Sequence, residues 1–377
     1  MIRKWLWRFT PIQRFVQHRR ALSLRKTHPE GVVPPLPLRV VVEPTNGCNL
    51  GCAYCGNKDM VRPVKFLPLD LFEKLLDEMV ELGIPRVTLH TIGEPTLHPH
   101  IDEMIAMASA RGRVVTMSTN GSRLTDDLAR RLILARPTML HISADAADKE
   151  TLAKTRDKLD LDVVLSGIKT LRRIRDAEGH FADSPWGRVR MPTLAVTCVL
   201  TPHFTREVEK KFFETFTPLV DDIVFHTANN HGGYVDDAMY IPTLVPLPIK
   251  RAFYKRLRRP CPYPWDTLYL LSDLSVSVCR WDFDARITVG KYGESTLKEL
   301  WHSERIRRLR RAHMNFDYAE WLNCENCSGN LYENRFEHWR LTEKLKKRNG
   351  MVSARNTWLS ENPMNIAPGQ LVASARS

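Results

Sequence analysis

The chain has 377 residues, 43% of them apolar, enough for one large core or two domains. Lys and Arg number 56 against 43 Asp and Glu, giving a formal net charge of +13, and no run of eighteen apolar residues occurs, so no helical membrane span is expected. The basic start (Arg3, Lys4, Arg8) and its "WLW" are too short for a signal-peptide core, so a cytoplasmic location is expected. Structural disulfides are uncommon there, and eight cysteines then point to metal or redox chemistry.

Residues 1–36 read as a basic N-terminal helical extension. Residues 1–31 hold eight Lys or Arg and one Glu, eight minus one, or +7 of the total. Trp5, Trp7, Phe9 and Phe15 could bring it to an anionic membrane surface or an acidic partner, or could pack on the main domain. The main domain is expected over 37–236. "RVVVEPT" (39–45) reads as a buried strand, and 68–83 as a helix with Phe72, Leu75, Leu76 and Met79 on one face. Strand 86–92, helix 100–111, strand 114–119, helix 124–135 and strand 138–143 follow. Helix 161–177, strand 192–200, helix 205–216 and strand 221–227 complete the series. Alternation of this kind implies a parallel sheet with helices outside, an α/β barrel, open or closed, whose chemistry sits at the carboxyl ends of the strands.

Beyond 236 the pattern changes. Residues 237–260 are proline-rich and basic, a crossing linker. "TLYLLSDLSVSVCRW" (267–281) reads as a β-hairpin turning at Ser272-Asp273, and a helix is expected over 296–312. A C-terminal helix and a tail without apolar periodicity fill 336–377, the latter with the composition of a disordered segment. Further basic clusters lie at 304–311 and 344–348, and nothing in them resembles a DNA-reading motif, so no specific nucleic acid is expected.

"NGCNLGCAYCGNK" places Cys48, Cys52 and Cys55 directly after the first strand. Zinc takes four closed ligands in structural sites, and its catalytic sites favour His and carboxylate. Three thiols with no nearby His suit an iron–sulfur cluster that leaves one iron open. The spacing Cys48-x3-Cys52-x2-Cys55, with Tyr54 before the last cysteine, resembles the radical S-adenosylmethionine (SAM) superfamily. "GEPTLHP" (93–99) resembles that family's GGEP element with Ile92 in place of the first glycine. "STNG" (118–121) and "ISAD" (142–145) fall one strand apart after it. The resemblance implies a partial (β/α)6 barrel. It also implies a SAM site built from Gly93, Glu94, Pro95, Ser118, Asn120, Ser143, Asp145 and Arg156: Glu94 on the amino group, Asn120 or Ser118 near the ribose, Arg156 on the carboxylate. Each element alone also reads as ordinary turn chemistry; their order carries the reading.

Cys261, Cys279, Cys324 and Cys327 follow with spacing C-x17-C-x44-C-x2-C. With the hairpin, "STLKELW" and the closing CxxC, residues 261–335 resemble the SPASM/twitch extension of radical SAM enzymes. Four cysteines fit the shorter twitch form with one auxiliary 4Fe–4S cluster, and a four-cysteine zinc site is the alternative. The resemblance therefore implies two 4Fe–4S clusters and SAM, a 5′-deoxyadenosyl radical, and hydrogen abstraction from a substrate.

The substrate is expected to be a small polar molecule (a sugar, aminocyclitol or nucleotide-linked metabolite), oxidised by two electrons, with flavodoxin or ferredoxin as reductant. A peptide maturase is the alternative, disfavoured because only about 36 residues precede strand one. A non-enzymatic zinc module would leave the three-cysteine loop and the GEP turn without a purpose. His90, His141, His226, His231 and Asp282 lie where a general base belongs, although each also reads as a structural group. Cys198, on strand "LAVTCVL", reads as a small core residue or as the hydrogen-atom donor of an epimerase.

Overall fold

A computed structural model describes residues 35–184, 187–233, 235, 260–325, 327 and 341. The expected N-terminal extension, the linker and the C-terminal helix and tail lie almost wholly outside the described residues.

The chain opens on β1 (Arg39–Val42), α1 (Leu69–Glu81), β2 (Arg86–Leu89), α2 (Ile101–Ala110), β3 (Val114–Thr119), α3 (Asp126–Leu134) and β4 (Met139–Ser143). It continues through α4 (Lys149–Thr155), α5 (Leu161–Glu178), a hairpin of β5 (His180–Ser184) and β6 (Gly187–Met191), β7 (Thr193–Leu200), α6 (Arg206–Phe216) and β8 (Asp222–Thr227). Local chemistry sets the helix starts. Thr125, Asp148 and Thr205 each accept a backbone N–H three residues on, and Asp160 accepts that of Asp162. β1, β2, β3, β4, β7 and β8 pair in that order, all parallel, and β8 is not bonded back to β1 among the described residues. This is an open barrel, the partial (β/α)6 form that the resemblance implied.

Strand parity divides the sheet into two faces. Val40 and Val42, Val87 and Leu89, Val115 and Met117, Leu140 and Ile142, Leu194, Val196, Cys198 and Leu200 join the apolar core under the helices. The opposite face carries Glu43, Thr88, His90, Thr116, Ser118, His141, Ser143, Thr197 and His226, so the lumen is polar. A lumen lined by polar groups beneath the carboxyl ends is the part of this fold that can hold a ligand.

The C-terminal region holds α7 (Tyr263–Asp266), β9 (Thr267–Leu270), β10 (Ser275–Ser277), β11 (Thr288–Lys291), α8 (Leu297–Trp301), α9 (Glu304–Asn315) and α10 (Leu322–Glu325). It does not stand apart as a separate sheet. β9 adds in parallel to β1, with Val42 opposite Leu270, and β10 and β11 extend the sheet antiparallel. The helix expected over 296–312 is two helices: Thr296 and Glu299 form a capping box at α8, and Ser303 caps α9. Strand two ends at Leu89 instead of Ile92, and the β5–β6 hairpin has no counterpart in the expected series.

Candidate active site

The three-cysteine loop leaves β1 and is held by its own asparagines. The Asn46 amide donates to the Pro63 carbonyl (3.0 Å) and its oxygen accepts from Lys65 N (2.8 Å); Asn57 donates to the Asn46 carbonyl (2.8 Å). The GEP turn after β2 lies against this loop. A Cβ on Gly93 would sit 2.1 Å from the Thr45 carbonyl oxygen, so only glycine permits the approach.

Glu94 is buried at 2% exposure and serves the protein with both oxygens. One accepts from Thr96 N (3.0 Å) and from the hydroxyls of Thr96 and Thr119 (2.6 Å each); the other accepts from Asn120 N (2.7 Å). The Asn120 amide donates to Asn49 (2.9 Å) and its oxygen accepts from Ser122 N (2.9 Å). These two side chains, expected on the cofactor, knit the β1, β2 and β3 loops into one rim. Pro95 starts the short helical turn after Glu94, while Ser118 and Ser143 face the lumen, Ser143 hydrogen-bonded to Thr197 (3.1 Å).

Asp145 and Arg156 are also joined to each other. Arg156 meets Asp145 through Nε (2.9 Å) and Nη2 (3.2 Å), Tyr54 donates to the same carboxylate (2.7 Å), and Val199 N donates to its other oxygen (2.9 Å). The guanidinium Nη1 lies 4.0 Å from Cys52 Sγ. Arg156, expected on a carboxylate of the cofactor, is thus salt-bridged inside the protein and turned toward the cluster loop.

Burial pushes the Cys52 thiol up to about 11, with Arg156 opposing, and the Cys55 thiol up to about 12, with Cys52 adding to the rise. Burial raises Cys48 as well. In the second set Cys279 is driven well up by burial and then by Cys324, Cys327 and Cys261. Each set is therefore gathered closely enough for its members to act on one another. Trp281 N donates to Cys279 Sγ (3.4 Å), the kind of contact that tunes the potential of a cluster thiolate. Among the described residues no three His, Cys, Asp or Glu side chains converge where one metal ion could sit.

The loops that follow Cys55 and Cys279 meet across the β1–β9 seam. Val61 N donates to Asp284 (2.9 Å), and a Cβ on Gly56 would strike the Phe283 ring at 2.3 Å. Arg62 pairs with Glu43 (2.8 Å) and Asp273 (3.4 Å), and Glu43 also accepts from Ser272 N (3.0 Å).

Of the expected bases, burial holds His90 down at about 3, with Arg280, His141 and Arg156 adding to the depression, and holds His141 at about 4. His231 stacks on Trp281 (4.5 Å, 14°) and is also held at about 4, by burial and Arg280. Asp282 is structural: it accepts from Ser277 Oγ, Arg286 N and Ile287 N (2.7–2.8 Å). Cys198 is 0% exposed, on the helix-covered face, with its thiol 3.7 Å from the Asp145 carbonyl oxygen. Parity turns it away from the lumen, which removes the observation an epimerase donor needs. Arg280, Trp281 and Tyr263 were not singled out by the sequence; they stand beside a ligand cysteine, which was the one available signal.

A half-barrel with a three-thiol loop at its first strand and a four-thiol set at the neighbouring sheet edge defines an iron–sulfur enzyme of the radical SAM class. The family model for the radical SAM superfamily matches residues 42–177, and that for the SPASM iron–sulfur cluster-binding domain matches 261–328; the chain belongs to that superfamily and carries that domain. It is similar to the tungsten-containing aldehyde ferredoxin oxidoreductase cofactor-modifying protein of Pyrococcus furiosus, 24% identical over 76% of this chain and 86% of the relative. The mycofactocin maturase MftC of Mycolicibacterium smegmatis is 28% identical over 36% of this chain, which spans only 34% of that relative. In fold it resembles Streptococcus suis SuiB bound to precursor peptide SuiA, with TM-score 0.59 at 15% identity, covering 78% of this chain and 70% of that one. No helix among the described residues is long and apolar enough to cross a membrane.

Proposed function

We propose that the chain carries two 4Fe–4S clusters, one on Cys48, Cys52 and Cys55 with SAM at its open iron and one on Cys261, Cys279, Cys324 and Cys327. We propose further that it oxidises a small polar substrate by two electrons, with a flavodoxin or ferredoxin as reductant. The observation that carries the reading is the three-cysteine loop at the carboxyl end of β1, with a second cysteine set around the neighbouring strands of the same sheet, Cys261 just before β9 and Cys279 just after β10, which runs antiparallel to it. When bound, the first cluster and SAM supply a 5′-deoxyadenosyl radical that abstracts hydrogen. The chain's own residues do the positioning. Gly93 lets the GEP backbone close on the cysteine loop, Glu94 and Asn120 fix the rim, and Asp145 aims Arg156 at Cys52. His90 and His141, neutral at pH 7, suit orienting a substrate hydroxyl better than holding its proton.

A peptide substrate is the second reading, favoured by the fold shared with the peptide-bound SuiB. Anaerobically reconstituted protein is expected to hold about eight irons and eight sulfides per chain. Replacing Cys48, Cys52 and Cys55 by alanine is expected to leave about half and to abolish 5′-deoxyadenosine formation. Wild-type rates in that triple variant would sink the assignment, and one zinc with about four irons would replace the auxiliary cluster by a zinc site.

A further inference from the structure

Arg280 is the residue after Cys279, one of the cysteines of the second set. Its guanidinium lies on the Trp281 ring (4.4 Å to the centroid) and donates to the Tyr263 hydroxyl (3.3 Å). Trp281 is braced from its other neighbour by His231. Tyr263 in turn packs edge-on against Tyr269 (6.1 Å), which alternates with the core residues Leu268 and Leu270 and so lies on the lumen face of β9, opposite Val41. A line of contacts therefore runs from Cys279 through its neighbour Arg280 and Tyr263 to Tyr269 on the lumen face.

The charges around the two cysteine sets do not cancel. Arg156 meets Asp145, and Arg62 meets Glu43 and Asp273. Among the described residues Arg280 meets no carboxylate. Those nearby are committed elsewhere: Asp282 to the Ile287 turn, Asp284 to Val61 N and Arg286, Asp266 to Arg39 and Thr267. A half-buried guanidinium held flat by an aromatic face and a phenol is prepared for a planar or tetrahedral anion. With Nη1 on the Tyr263 hydroxyl, its other N–H groups remain as donors to such an anion.

We propose that Arg280 is the anchor for an anionic group, a carboxylate or phosphate, on the molecule this enzyme oxidises. The inference rests on the radical SAM reading above and adds to it the charge of the substrate. Such an anchor sets the bound molecule between the hydrogen-abstracting side of the lumen and the auxiliary cysteine set. The same anion could belong to a free metabolite or to an acidic side chain of a peptide, and the test separates them.

Reconstituted full-length protein would be titrated calorimetrically with inorganic phosphate, with succinate, and with the peptide Gly-Gly-Glu-Gly-Gly beside its Gln counterpart. At least one acidic probe is expected to bind, and Arg280→Gln is expected to weaken it roughly ten- to a hundredfold, the loss of a charge-assisted contact. Tyr263→Phe, which frees the guanidinium, is expected to weaken it less, and it covers the case in which Arg280→Gln does not fold. Binding of phosphate or succinate marks a metabolite; binding of the Glu peptide alone marks a peptide. The inference is overturned if no acidic probe binds the loaded wild type. It is also overturned if the variants bind the probes as wild type does while the midpoint potential of the auxiliary cluster shifts, for Arg280 would then only balance cluster charge. Failure to assemble clusters at all would instead count against the underlying reading.

Discussion

Asp145 joins four parts of the site through one buried carboxylate: the cysteine loop by Tyr54, α4 by Arg156, β7 by Val199 N, and its own strand β4. Removing it leaves the Arg156 charge buried and uncompensated, which costs about 3–5 kcal/mol. Asp145→Ala is therefore expected to lower the denaturation midpoint strongly and to impair cluster loading, both measurable by anaerobic unfolding and iron content. Unchanged stability would show that Arg156 finds another partner or water. Cys198 is the contrasting case. Its alanine variant loses a small buried side chain, about 1–2 kcal/mol, and is expected to give the same product as wild type, with no solvent deuterium at the attacked carbon of either. Deuterium present in the wild-type product and lost in the variant would restore the donor role. This outcome was legible in the sequence, because the period of two sets Cys198 with Leu194, Val196 and Leu200 on the core face. The partners of Glu94, Asn120 and Arg156 were not. A motif tells which residue stands at a strand end, whereas its hydrogen bonds depend on loops far away in the chain.

Among the elements, the joint between β1 and β9 carries the most consequence, since it makes the barrel and the second cysteine-bearing region one continuous sheet. Arg62 locks that joint, with its side chain and that of Glu43 both almost wholly enclosed. Arg62→Ala is expected to destabilise by about 3–5 kcal/mol, because Glu43 would keep its charge with only hydroxyl and amide donors from Thr91 and Ser272. Comparison with Glu43→Gln/Arg62→Ala tests the cause: the double variant should recover part of the loss, and no recovery would mean that Arg62 acts by packing alone. The strands themselves were legible as alternating apolar runs, and the hairpin turn at Ser272-Asp273 was marked by its residues. The pairing of β9 with β1 was not, because residues 39–42 and 267–270 are more than two hundred positions apart and parallel pairing leaves no local signature. The break between α8 and α9 was missed because apolar periodicity runs across it, and only the cap at Ser303 records the restart.

At the scale of the whole molecule, the enclosed imidazoles make stability depend on pH in a definite direction. His90 is held at about 3 and His141 and His231 at about 4, chiefly by burial, against about 6.5 in an unfolded chain. Between pH 6.5 and about 4 the unfolded state binds protons at these positions and the folded state does not, so stability rises with pH there and falls on acidification. Above pH 7 the three are neutral in both states and contribute no slope. Each can contribute up to about 1.4 kcal/mol per pH unit within the window. Burial raises the carboxyls of Glu78, Asp266 and Asp282, and that effect opposes the histidines, but it enters only nearer the ordinary carboxylate range. The upper half of the window, pH 6.5 to 5, therefore belongs to the imidazoles. The denaturant midpoint of the wild type is expected to fall steadily from pH 6.5 to 5, and that of a His90→Gln/His141→Gln variant to fall less steeply, since glutamine binds no proton in either state. The comparison is between slopes, so acid lability of the clusters, common to both proteins, cancels. Parallel slopes would mean that the lumen solvates both imidazoles well enough to leave them near their ordinary range, and a lumen that wet would hold a substrate anion at Arg280 far less tightly.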